Sequence, residues 1–169
     1  FREASVLAVK TARLAQVFVG QEHHVTGKTV HGNVVDFVRL TADAEIEWMP
    51  GVTDGKVKIV MTVTSPDGKT VLTAESGTMD PLTNSAPAKN LTGLTCDLRS
   101  NHVQASLTVE NPELWWPNGY GAQALYQVKV ELVADDILDT WEKKMGLRTI
   151  TVNTDVMEDE VFDEHMTGQ

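Results

Sequence analysis

Apolar and polar side chains alternate along several stretches of the chain. The clearest runs through Val38, Leu40, Ala42, Ala44, Ile46 and Trp48, with Arg39, Thr41, Asp43, Glu45 and Glu47 between them. A period of two predicts a long strand with one face buried and the other in water. Val57, Ile59, Met61 and Val63 repeat the pattern, and Ser65-Pro66-Asp67-Gly68-Lys69 then supplies turn torsions before Thr70 to Ala74 resumes, which predicts a hairpin. Leu94, Cys96 and Leu98 lead through Arg99-Ser100-Asn101 into Val103, Ala105, Leu107 and Val109, a second hairpin. Ala124, Tyr126, Val128, Val130 and Leu132 run to Ala134-Asp135-Asp136 and back along Ile137 to Val152, a third. Ala4 to Val9 and Leu14 to Val19 also read as extended, whereas Thr78 to Lys89, with Pro81, Asn84, Ser85 and Pro87, reads as a loop.

No stretch combines a helical period with a cap, and turn signals recur at roughly the 8–12-residue spacing of sandwiches and barrels. The fold class predicted is all-β. The chain of 169 residues has 41% hydrophobic and 22% charged residues, ordinary values for a globular domain that can close a core without disulfides or metals. Cys96, alternating with Leu94 and Leu98, reads as a small buried hydrophobe rather than a disulfide partner.

Charge narrows the partners. With 24 acidic against 14 basic residues and a formal charge of −10, the chain lacks the clustered Lys and Arg on which phosphate binding rests, so nucleic acid is excluded as the expected partner. No apolar run is long enough for a membrane span, and Phe1 to Val6 does not resemble a signal peptide; the compartment stays open. Asp155 to Gln169, rich in Asp and Glu with little apolar content, reads as an acidic tail or connector.

One connection breaks the polar pattern expected of loops. Residues 109–126, Val-Glu-Asn-Pro-Glu-Leu-Trp-Trp-Pro-Asn-Gly-Tyr-Gly-Ala-Gln-Ala-Leu-Tyr, hold Trp115, Trp116, Tyr120 and Tyr126. Pro117-Asn118-Gly119 favours a tight turn, and the paired indoles must plug the end of a sandwich or pack against something beyond it.

Residues 111–126 resemble the hallmark of the immunoglobulin-like second domain of family 2 glycoside hydrolases. Met145-Gly146-Leu147-Arg148-Thr149-Ile150 resembles the strand that ends that domain, and Ala12 to Val19 its first strand. Within the family the full Trp-Trp-Pro-Asn-Gly-Tyr-Gly form looks like β-mannosidases and exo-β-glucosaminidases more than β-galactosidases or β-glucuronidases. The resemblance implies an immunoglobulin-like antiparallel β-sandwich over 12–152, preceded by the tail of another segment at 1–11 and followed at 153–169 by an acidic connector. It further implies neighbouring domains in the same polypeptide, an N-terminal jelly-roll and a C-terminal (β/α)₈ barrel carrying both catalytic glutamates, one of them in an Asn-Glu pair. The chain has no Asn-Glu dipeptide, and a barrel needs about 250 residues. No catalytic residue, cofactor-binding residue or metal ligand is therefore assigned, and no cofactor is expected. The implied parent hydrolyses terminal β-mannosides with retention, and this domain is its non-catalytic scaffold.

Other readings of the same residues are weaker. An autonomous carbohydrate-binding or adhesion module would use the loop of Trp115, Trp116, Asn118 and Tyr120 as its sugar contact. Gly119 to Ala124 formally matches the dinucleotide fingerprint, but a period-2 strand follows where a helix is required. His23, His24 and His31 read as solvated histidines in a polar loop, without the paired spacing of a metal site. The acidic clusters Asp135-Asp136 and Glu158-Asp159-Glu160 read as surface rather than a glycosidase pair. Asn90-Leu91-Thr92 is a formal glycosylation sequon read as chance, and Trp48 and Trp141 read as packing residues.

Overall fold

The computed structural model describes residues 9–29, 32–81 and 101–149. Seven strands run in chain order: β1 Ala12–Thr29, β2 Gly32–Trp48, β3 Lys58–Thr64, β4 Val71–Glu75, β5 His102–Glu110, β6 Tyr126–Val133 and β7 Ile137–Met145. All pairings are antiparallel, in a three-stranded sheet ordered β1-β2-β5 and a four-stranded sheet ordered β4-β3-β6-β7. The chain changes sheet between β2 and β3, again between β4 and β5, and a third time between β5 and β6. The result is an immunoglobulin-like antiparallel β-sandwich, with no helix among the described residues.

The core follows the alternation in the sequence. From β2, Val38, Leu40, Ala42, Ala44 and Ile46 are fully buried; Val57, Ile59, Met61 and Val63 face them from the β3 segment, and Tyr126, Val128, Val130 and Leu132 from β6. Trp48 and Trp141 pack against this cluster from its margin. The predicted β3–β4 turn closes through Gly68 N–H to Ser65 O at 2.9 Å and Ser65 N–H to Thr70 O at 2.9 Å. Gly68 sits at φ 74°, a torsion glycine adopts without steric cost. The β6–β7 hairpin forms as expected around Ala134 to Asp136.

Two edge strands meet where the sheets come together. Edge N–H groups have no ladder partner on their outer side, and the Asp139 carboxylate of β7 accepts the Leu14 N–H of β1 at 2.9 Å. Near the other end of the same seam, Gln21 pairs like a strand residue. Its Nε2 donates to Gly146 O at 3.1 Å and its Oε1 accepts from Arg148 N–H at 3.2 Å.

Several boundaries differ from the sequence expectation. β1 does not stop at Val19 but runs to Thr29, and β2 begins at Gly32 rather than near Val38. Past Phe37↔Glu110, where β5 leaves the ladder, these two strands continue as a two-stranded ribbon. Register shifts at His24/Val25 and Val25/Gly27 break the period there, and a ribbon lying beyond the second sheet need not keep one apolar face. β7 ends at Met145, and Gly146 to Thr149 are irregular, although Leu147 is fully buried. Met79, placed in a loop by its surroundings in sequence, forms an isolated bridge with Val57 and is buried. Leu94 to Leu98 with Cys96, the sequon at 90–92, the side chain of His31 and the acidic stretch 155–169 lie outside the described residues.

Candidate functional site

The connection from β5 to β6 crosses between sheets at the end of the sandwich that also carries the ribbon. Asn111, at φ 45°, turns the chain out of β5, a left-handed torsion that asparagine tolerates better than most residues. Its N–H donates to Asp36 O at 2.8 Å. Tyr126, buried at the start of β6, accepts the Glu113 N–H on its phenolic oxygen at 2.9 Å. A tyrosine there whose hydroxyl ties back to upstream backbone is shared by immunoglobulin-like sandwiches. Burial, the main cause, pushes its phenol up from its ordinary value.

Between these anchors the two indoles are each clamped by a glycine. A Cβ on Gly146 would lie 2.6 Å from Trp115 Cβ, and one on Gly121 2.8 Å from Trp116 Cγ. Both glycines are there because only a hydrogen fits against the ring. Trp115 N–H donates to Leu147 O at 3.1 Å and Trp116 N–H to Ala122 O at 2.9 Å. Arg148 joins the two: Nη1 donates to Trp115 O at 3.1 Å, and the guanidinium lies over the Trp116 ring at 4.3 Å, a cation–π geometry.

The turn beyond is open to solvent. Tyr120 N–H donates to Pro117 O at 3.0 Å, and Gly119 has φ 87° while Asn118 keeps a negative φ. That is a type II turn with glycine at its obligatory position. Asn118 is exposed, and Tyr120 is 79% exposed. Of the four residues singled out by the motif, Trp115 and Trp116 are brought together and half-buried, while Asn118 and Tyr120 stand at the apex in solvent. Neither indole is fully enclosed by the domain's own strands.

Gln21, Gly121, Gly146 and Arg148 were not assigned to this site from sequence. The Gly-Leu-Arg spacing at 146–148 was legible only as a strand landmark, and nothing in the period of β1 marked Gln21.

His23 and His24 lie in β1, opposite Val38 and Phe37, not in a loop. His23 is half-buried beside Gln21, with Nε2 3.1 Å from its Oε1, and burial lowers its imidazole below the ordinary value. His24 is exposed and stacks on Phe37, ring centroids 4.5 Å apart. Among the described residues no group of three His, Cys, Asp or Glu could hold a metal ion. Gly119 to Ala124 leads into β6, a strand, so the fingerprint geometry for a dinucleotide is not formed. Asp135 and Asp136 are exposed in the β6–β7 turn.

The fold and site define an immunoglobulin-like β-sandwich whose aromatic β5–β6 crossover is pinned by Arg148 of a Gly-Leu-Arg segment. The family model of glycosyl hydrolases family 2 matches residues 21–148, and the chain belongs to that family. Among curated relatives, β-mannosidase B of Aspergillus clavatus is 48% identical over 51 residues, 30% of this chain and 6% of that protein. β-Mannosidase B of Aspergillus flavus is 42% identical over 53 residues, 31% and 6%. Among solved structures, a protein described as a β-galactosidase from Bacteroides fragilis superposes with TM-score 0.59 and 16% identity, covering 85% of this chain and 19% of that one. β-Glucuronidase 2 of Bacteroides uniformis gives TM-score 0.55 and 18% identity, covering 83% and 15%. These likenesses concern the fold. The matched stretch spans about 6% of the curated relatives' length, so those relatives are far longer than this chain.

Proposed function

We propose that this chain is a non-catalytic scaffold domain of a family 2 glycoside hydrolase whose intact form removes terminal β-mannosides with retention. The sandwich would sit between an N-terminal jelly-roll and a C-terminal barrel that supplies both catalytic glutamates. The observation that carries the reading is the aromatic end of the sandwich. Trp115 and Trp116 are locked from one side by Gly146, Gly121 and Arg148, yet they remain half-exposed beside an open Tyr120. A cluster held rigid by its own domain and open on the other side suits packing against a neighbour. The choice of mannoside is supported by the β-mannosidase B relatives.

The test is hydrolysis of an aryl β-mannoside by this chain and by the polypeptide of its complete reading frame. Only the latter should turn over; turnover that scales with the purified chain sinks the reading. An aryl β-glucosaminide and an aryl β-galactoside in the same assay decide between β-mannosidase and the two other substrate types. A second reading, a carbohydrate-binding module acting through the loop, is favoured by the exposure of Tyr120. Saturable quenching of tryptophan fluorescence by manno-oligosaccharides that disappears in Trp116→Ala would support it.

A further inference from the structure

The outer face of the three-stranded sheet, away from the aromatic loop, carries an ordered set of side chains that the scaffold role does not use. Across it, Phe18, Asp43 and Gln104 form one row on β1, β2 and β5, and Gly20, Thr41 and Ser106 form the next. Phe18 is 66% exposed. A Cβ on Gly20 would lie 3.6 Å from Phe18 Cε1, so one edge of the ring reaches over the glycine while most of the residue stays open to solvent. Asp43 is fixed by two charge-assisted contacts, His102 Nδ1 and Gln104 Nε2, each at 2.7 Å. These contacts engage each carboxylate oxygen once and leave His102 Nε2 and Gln104 Oε1 directed away from it. Thr41 and Ser106 hydroxyls meet at 2.9 Å in the low ground left by Gly20.

The arrangement is therefore one flat aromatic beside a comb of positioned neutral or charge-balanced polar groups, spread over two strand spacings, about 10 Å. The other exposed large apolar residues, such as Val71, Tyr120, Leu125 and Ile137, lie outside this sheet, and Val25 and Val34 lie on the ribbon. A protein partner with an apolar hot spot finds only a single ring here, and an ionic partner finds Asp43 already engaged by His102 and Gln104. A pyranose has the matching chemistry, one apolar face of C–H bonds for the ring and a rim of hydroxyls that both donate and accept for the amide, imidazole and hydroxyl groups.

We propose that this face is a carbohydrate-binding surface for a neutral polysaccharide, with Phe18 as the stacking platform and Gln104, His102, Thr41 and Ser106 as the hydroxyl contacts held in place by Asp43. The surface is independent of the aromatic loop and of which glycoside the parent hydrolyses. The experiment is affinity electrophoresis of the chain in gels containing soluble galactomannan, glucomannan, xylan or hydroxyethylcellulose. Retardation by at least one polysaccharide is expected. It should weaken about tenfold or more in Phe18→Ala, weaken in Gln104→Ala, persist in Phe18→Trp, and be unchanged in Val71→Ala, an exposed position on β4 of the other sheet. Circular dichroism should show the variants folded, since Phe18 is outside the core. The proposal is overturned if none of the polymers retards the chain or if Phe18→Ala migrates like the parent. It is also overturned if sedimentation shows that Phe18 instead mediates self-association.

Discussion

The contact between Gly146 and Trp115 allows one perturbation to be worked through in numbers. In Gly146→Ala the new methyl carbon would lie 2.6 Å from Trp115 Cβ, 2.7 Å from Cγ and 3.0 Å from Cδ1, against an ordinary carbon–carbon separation of about 3.5–4.0 Å. The nearest clashing atom, Trp115 Cβ, is one that no side-chain rotation carries away, so the backbone of one segment has to shift by about 1 Å. Gly146 has no positive φ, hence alanine adds no torsional cost and the effect is steric. The shift loads three hydrogen bonds at once: Trp115 N–H to Leu147 O, Arg148 Nη1 to Trp115 O, and Gln21 Nε2 to Gly146 O, each 3.1 Å. Overpacking costs about 1–3 kcal/mol and the weakening of one or two such bonds about 1 kcal/mol, a destabilisation of about 2–4 kcal/mol. At about 2–4 °C per kcal/mol for a domain of this size, the melting midpoint should fall by roughly 5–15 °C. Urea unfolding followed by tryptophan fluorescence measures the loss. Trp115→Gly removes the obstacle, Cβ included, so Gly146→Ala should be nearly neutral in that background. A cost below about 0.5 kcal/mol in the parent, or an equal cost with and without Trp115, would refute the clamp.

Three further outcomes are expected. Tyr126→Phe deprives the Glu113 N–H of its acceptor and should cost about 1 kcal/mol, with faster amide exchange at Glu113 measured by NMR. Asp139→Ala leaves the Leu14 N–H without its partner at the seam; a loss of about 1–2 kcal/mol should appear in urea unfolding, with β1 amides exchanging first. Burial holds the His23 imidazole below its ordinary value of 6.5, so the unfolded chain takes up its proton first as pH falls. Stability should therefore decline as pH drops from about 6.5 towards the native value and level off below it. His23→Gln should flatten that part of the urea midpoint against pH, and an unchanged slope would rule the histidine out.

The legible part of the fold is the part where one face of each strand is buried. Val38 to Ile46, Ile59 to Val63 and Tyr126 to Leu132 alternate because their inner positions meet the opposite sheet, and the glycine turn at 65–69 is local chemistry. The β1–β2 ribbon was not legible, since beyond Phe37 no second sheet demands an apolar face and two register shifts scramble the period. The same irregularity hides the strand that holds His23 and His24. At the aromatic site, the motif marked Trp115, Trp116, Asn118 and Tyr120 as a unit, but separation of roles needed three dimensions. Arg148 reaches Trp115 across 33 positions of sequence, and Gln21 holds the Arg148 segment across 127; no local pattern encodes such pairings.

The central claim is that the end of the sandwich bearing Trp116 and Tyr120 braces a neighbouring domain. Hydroxyl-radical footprinting of these two side chains, in this chain and in the polypeptide of its complete reading frame, tests it most directly. Strong labelling of Tyr120 and partial labelling of Trp116 are expected in the chain alone, with both protected in the longer polypeptide and exposed Val71 on β4 labelled equally in the two. Equal labelling of Tyr120 and Trp116 in both forms would contradict the bracing role.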